Sequence, residues 1–344
     1  MNLYFPVHAQ EVVGDSTFKE STDKYFVNPV RPTGADPWVI QVDGAYYFSE
    51  SNGDTKIFIH EFDHLSGIRA SVGHLVFDTS QIHPQLNSLW GPHLNFVQGN
   101  WYIYFCAQQN KDSQFTSQRM WVLKSETDSP EGPYTLVGEV LDSDNTEWAI
   151  DGSVLQRENG NLYFVWSGIS KENLQNGSLQ QQIYMAKMFD PTRIDRTTIT
   201  LISSPTEKWE TSVRPIQEGP RPLYVDKYGK TIVIYSANAS WTDEYCLGGL
   251  TNEDGDFLNP DSWKKSSQPL FQKTATVYGP GGASYVTSKD GKEHWILYHA
   301  AQYKGAGWAR NIRMQPFTFD QSHQPVFGKP IDAGVKLQLP SGEK

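Results

Sequence analysis

Three acidic residues, Asp36, Asp151 and Glu218, each stand among small residues just ahead of a short strand-like segment, in GADPWV, AIDGSV and QEGPRP. A lone acid in such a place is ordinarily a turn former whose carboxylate satisfies nearby backbone N–H groups. Repetition separates these three from that reading. Each precedes the same pattern: a short strand, a glycine turn, then a strand of alternating aromatic and aliphatic residues. If the three acids converge in a partly desolvated pocket, their charges push their pKa values apart. One carboxylate then stays ionised as a base while another keeps its proton as an acid, the pairing that glycoside hydrolysis requires.

The elements that would position them recur five times. GADPWVIQVDGAYYFSES begins at Gly34, WGPHLNFVQGNWYIYFCAQ at Trp90 and DGSVLQRENGNLYFVWSG at Asp151. EGPRPLYVDKYGKTIVIYSA begins at Glu218 and GGASYVTSKDGKEHWILYHA at Gly281. Their turn glycines are Gly44, Gly99, Gly160, Gly229 and Gly291, and a glycine turn between apolar runs is a hairpin signal. The spacing leaves room for two further strands per unit, with KIFIHEF (56–62), QRMWVLKSE (118–126), QQIYMAKMF (181–189) and YCLGGLT (245–251) as candidates. Four-stranded units repeated radially make a β-propeller. The expectation is an all-β, five-bladed propeller with four-stranded antiparallel blades around a central channel. No spacer divides the chain, so residues 1–344 are expected to form one catalytic domain. The first thirty or so residues and the tail after about Lys329 would then latch the ring closed. Innermost strands line such a channel, which places Asp36, Gly91, Asp151, Glu218 and Gly281 or Gly282 at equivalent positions around one mouth.

The totals narrow the partners. A net charge of −10 with no block of Lys or Arg argues against nucleic acid and anionic membranes, both of which reward a basic face. No run approaches the roughly 18 apolar residues that would span a bilayer. MNLYFPVHAQ lacks a positive start and a full apolar core, so the chain reads as cytoplasmic, or as secreted with its leader removed. Cys106 and Cys246 lie too far apart in sequence to form a disulfide framework or a zinc spacing. Aromatic residues make up 13% of the chain, with 11 Trp, a content that suits large sheet cores and also sugar-binding clefts.

At these motifs the chain resembles glycoside hydrolase family 43, the five-bladed propeller arabinofuranosidases, arabinanases and xylosidases. The resemblance runs over nearly the whole chain, and RNIRMQPFTFD (310–320) is similar to a strand that often reads RTARxQxFTW in arabinofuranosidase-like members. It implies that Asp36 is the general base that activates water and Glu218 the general acid that protonates the leaving oxygen. It implies that Asp151 orients that acid and raises its pKa, and that the reaction inverts anomeric configuration. The implied partner is an arabinose-containing oligosaccharide or polysaccharide. The implied activity is an exo-acting α-L-arabinofuranosidase on arabino-oligosaccharides or on arabinan and arabinoxylan side chains. Endo-1,5-α-L-arabinanase and β-xylosidase are the nearest alternatives. A non-catalytic sugar-binding propeller predicts a missing acid, and the related fructosidases need an Asn-Asp-Pro-Asn-Gly setting that GADPWV lacks.

By the same resemblance Trp90 is a sugar platform, against a core tryptophan as the bland reading. Arg313, or Arg310 three residues away, reaches the pocket, against a surface ion-pair partner. Trp38 and Trp148 read as core. His299, in LYHA, matches a family histidine and otherwise reads as packed structure. No cofactor is required. Many members carry a fifth-blade histidine, within a stretch like GPGHNSF, that helps hold an ion or water cluster in the channel. Here YGPGGASYV has Gly282 and Ala283 at those positions, so a channel-bound ion lacks support and no metal ligand is assigned. NEDGDF (252–257) has calcium-loop flavour without the later glutamate and reads as a turn.

Overall fold

Each sequence repeat folds into one antiparallel sheet, because each supplies two long aromatic-aliphatic strands that need cover on both faces. The computed structural model describes residues 24–109, 117–141 and 148–343. The first sheet runs Trp38–Val42, Ala45–Ser51, Lys56–Phe62 and His74–Asp78 in sequence order. The second, fourth and fifth repeat this meander, and the five make the ring of blades expected from the sequence. The third-strand candidates are strands, at Lys56–Phe62, Gln118–Ser125, Gln182–Asp190 and Cys246–Asn252. All five turn glycines take φ between 70° and 83°, the left-handed region that favours glycine.

The third blade departs from four strands. Its Gln182–Asp190 strand pairs with both Arg193–Ile194 and Thr200–Ser203. A single turn, Arg196–Thr198, capped by the Asp195 side chain, splits the outer edge between them.

Stability comes from the seams. Five apolar clusters sit between neighbouring blades, including one between the last blade and the first, where Phe48, Leu297 and Ile312 are fully buried. Burying one such side chain contributes about 1.5–3 kcal/mol. Around that last seam Tyr25–Val27 pairs with Lys336–Gln338. The Asn28 amide also donates to Met314 O at 2.8 Å and accepts from Met314 N at 2.9 Å. The MNLYFPVHAQ stretch lies outside the described residues.

Candidate active site

Every innermost strand is interrupted at the same place. Pairing with the next strand breaks between Trp90 and His93, Ile150 and Ser153, Glu218 and Arg221, and Gly281 and Ser284. In the first blade Asp36 and Pro37 occupy the corresponding place, just before Trp38–Val42. At each interruption one residue is left-handed: Asp36 (φ 46°), Gly91 (50°), Asp151 (56°), Gly219 (59°) and Gly282 (55°). Bulges of this kind re-aim side chains and recur beside active sites. The equivalence expected for Glu218 is therefore off by one residue. Gly219 holds the repeated position, and Glu218 stands one place earlier, level with Trp90 and Ile150. Aspartate tolerates left-handed backbone better than most side chains; the longer glutamate occupies an extended, paired position instead.

Two residues beyond each interruption stand Trp38, His93, Ser153, Arg221 and Ser284, all buried. They meet one another across the channel. The Trp38 and His93 rings stack at 3.9 Å, and the Arg221 guanidinium lies 5.2 Å from the Trp38 ring centre. His93 Nδ1 lies 3.0 Å from Gly152 O and 3.3 Å from Ser153 Oγ. Arg221 Nη1 donates to Pro37 O, Gly282 O and Ala283 O at 3.0, 3.0 and 2.7 Å, tying the fourth blade to the first and fifth. The contacts of this layer join all five blades just past the residues that carry the acids.

The three carboxyls are held in different states. Burial raises the pKa of Asp36, but the adjoining His299, with the charges of Arg310 and Arg221, holds it well below the usual carboxylate range. His299 Nδ1 accepts the Asp36 N–H at 3.1 Å and lies 3.3 Å from Oδ1; Arg310 Nη1 lies 3.8 Å from Oδ2. The Asp36 side chain still keeps 38% of its surface open, so it is the carboxylate that entering water meets. Burial and the Asp36 charge push Asp151 up, against Arg221 and the Gly219 N–H, which donates to Asp151 Oδ2 at 3.0 Å. Burial and then the Asp151 charge push Glu218 higher still, against the hydrogen bond that Tyr245 donates to its Oε1 at 2.8 Å. Asp151 and Glu218 thus titrate as a pair and retain a proton near neutrality.

The fifth-blade glycines explain the departure from the family's histidine. A Cβ on Gly282 would run into Asp36 Oδ1 and come within 2.7 Å of His299 Nδ1, and one on Gly281 would run into the Tyr245 ring. Both positions are kept bare so that His299 and Tyr245, stacked at 5.5 Å, can back two of the acids. Among the described residues no cluster of three or more His, Cys, Asp or Glu side chains is placed to hold a metal ion. His93 Nε2 has no hydrogen-bond partner among the described residues, but the fixed Arg221 charge acts on that imidazole and disfavours positive charge there. NEDGDF is a turn: Asn252 Oδ1 accepts the Gly255 N–H, and Glu253 pairs with Lys230 and Lys264.

Of the two arginines weighed from sequence, Arg310 is the one beside the acids. Arg313 lies buried elsewhere on that strand, its Nε donating to Asn311 and its Nη1 to Ile331 O. Trp90 is half-buried at the position level with Glu218 and packs against the seam between the second and third blades. Trp38 and Trp148 are buried, and Trp38 also stacks on His93 in the layer just past the acids.

Residues 26–325 match the sequence pattern of Glycosyl hydrolases family 43. The chain belongs to that family. As a family 43 member it is a glycoside hydrolase. It is 31% identical to the extracellular exo-alpha-(1->5)-L-arabinofuranosidase of Streptomyces avermitilis, over 96% of this chain and 67% of that protein. It is 28% identical to alpha-L-arabinofuranosidase B of Pyricularia oryzae, over 87% of this chain and 62% of that one. The chain therefore spans about two thirds of the length of these relatives. The crystal structure of alpha-L-arabinofuranosidase from Lactobacillus brevis superposes with a TM-score of 0.80 at 28% identity, covering 90% of this chain and 98% of that one.

Sequence reasoning missed Arg221, Tyr245 and His93 as parts of this family 43 site. One signal was available. Aligning repeats on Asp36-Pro37, Gly91-Pro92 and Gly219-Pro220 puts Trp38, His93 and Arg221 at one position and corrects the Glu218 register.

Proposed function

We propose that this chain is an exo-acting, inverting α-L-arabinofuranosidase that removes terminal arabinose from arabino-oligosaccharides or from arabinan and arabinoxylan side chains. The observation that carries the reading is the division of charge within one cluster of acids: Asp36 held anionic, and the Asp151–Glu218 pair retaining a proton. Asp36 takes a proton from water as the water oxygen attacks the anomeric carbon. Glu218 gives its proton to the glycosidic oxygen as the bond from that carbon breaks. Asp151 touches neither event in this scheme; its charge keeps Glu218 protonated. The relatives named above support arabinose as the sugar, and one of them is named an exo-acting enzyme. Two relatives are named extracellular, and we favour action outside the cell; among the described residues no helix is long and apolar enough to cross a membrane.

The test compares nitrophenyl α-L-arabinofuranoside with nitrophenyl β-xyloside, and follows the first-formed anomer by proton NMR before mutarotation. Arabinoside cleavage releasing the β-anomer is expected. Preference for the xyloside would move the chain to the xylosidase reading, and a first-formed α-anomer would mean a covalent intermediate and end the inverting scheme.

A further inference from the structure

Nine of the eleven tryptophans are buried or half-buried, and the remaining two, Trp241 and Trp308, are 41% and 66% exposed. These two touch each other, ring centres 5.6 Å apart and planes at 65°. Leaving a paired indole surface in water is unfavourable, and such exposed apolar patches mark binding sites. The pair is also held in place. Trp308 Nε1 donates to Ser240 Oγ at 3.3 Å, and the loop carrying it is tied down where Gly305 N donates to Asp243 Oδ1 at 2.9 Å.

The same anchor leads to the reacting atoms. Ser240 O accepts from Arg310 Nη2 at 2.8 Å, and Arg310 Nη1 lies 3.8 Å from Asp36 Oδ2. One side chain, that of Arg310, therefore separates the indole pair's anchor from the pocket acid.

We propose that Trp241 and Trp308 form the leaving-group subsite, a platform on which the C–H faces of the next arabinosyl residues of an oligosaccharide stack. The proposal rests on the arabinofuranosidase reading. It makes the enzyme selective for chains over single glycosides, because only a chain reaches both the pocket and the platform.

Trp308→Ala, Trp241→Ala and the double variant test it, with kcat and KM measured on methyl α-L-arabinofuranoside and on 1,5-linked arabinopentaose. The loss of kcat/KM on the pentaose should exceed that on the methyl glycoside by at least about tenfold and appear mainly in KM. Equal losses on both substrates would assign the tryptophans a structural role, and no loss on the pentaose would remove the subsite; either overturns the proposal. Intrinsic tryptophan emission, titrated with arabinopentaose on an Asp36→Asn background, should respond to sugar and lose that response in Trp308→Ala. If the unaltered enzyme cleaves neither arabinoside, the arabinofuranosidase reading fails. Titration with xylopentaose then decides the platform separately, and no tryptophan response to either sugar overturns it.

Discussion

Tyr245 donates its hydroxyl to Glu218 Oε1 at 2.8 Å while its ring lies parallel to His299, 5.5 Å away. One aromatic side chain thus connects Glu218, the proposed general acid, with the imidazole that contacts Asp36, the proposed base. With Oε1 occupied as an acceptor, Oε2 is the oxygen left to carry the proton. A donor to the carboxylate favours its ionised form, so Tyr245→Phe should raise the pKa of the acid by roughly one unit. The alkaline limb of the kcat profile should move up while kcat falls through lost orientation. A limb that stays put or moves down contradicts this assignment.

Asp36→Ala and Glu218→Ala should each lower kcat by about 10²–10⁴-fold with the circular dichroism spectrum retained. They should differ in leaving-group dependence. Losing the acid penalises poor leaving groups most, whereas losing the water-activating base slows good and poor ones alike. A variant keeping more than about a tenth of the parent activity would remove that residue from its role.

Asp151→Asn tests the charge argument. The Asp151 anion disfavours ionisation of Glu218, so removing it lowers the acid's pKa and moves the alkaline limb down, opposite to Tyr245→Phe. The acid limb belongs to Asp36, which is held below the ordinary carboxylate range, and it should not move. An unshifted alkaline limb with equal losses on all substrates would make Asp151 a holder of the turn through Gly219 N alone.

Gly282→Ala separates backbone strain from crowding. Gly282 and Gly44 both have positive φ, but a Cβ at Gly282 meets Asp36 and His299 whereas one at Gly44 meets nothing within 4 Å. By thermal unfolding, both alanines should lose about 1–2 kcal/mol to left-handed backbone, and Gly282→Ala more than that, because its methyl must displace Asp36 or His299. Only Gly282→Ala should lose about 10²-fold in kcat, the effect of displacing a catalytic group by an ångström. Equal activity in the two would mean that the pocket accommodates the methyl.

The hairpins and all three acids were legible because they depend on local signals: a glycine that must be left-handed, and a strand whose alternation matches two covered faces. The layer just past the acids was not. Arg221 acquires its place from three carbonyls on the first and fifth blades, and Tyr245 from bare positions at Gly281 and Gly282. Nothing near either residue in sequence announces a partner that ring closure brings to it. The one-residue error at Glu218 had a local remedy in the prolines. The choice between Arg310 and Arg313 had none, since both are buried on the same strand and only their cross-blade neighbours distinguish them.

The layer of Trp38, His93 and Arg221 also bears on traffic. On the exo-acting reading proposed above, a layer that joins all five blades beside the acids sends the freed monosaccharide back by the route its parent chain used. The shortened chain has to lift away before the pocket empties, so consecutive cuts on one molecule require a fresh encounter each time. On that reading degradation should be distributive: a pool of equal-length chains shortens as a broad ladder, every member losing units at once, instead of a few molecules being consumed while the rest wait untouched.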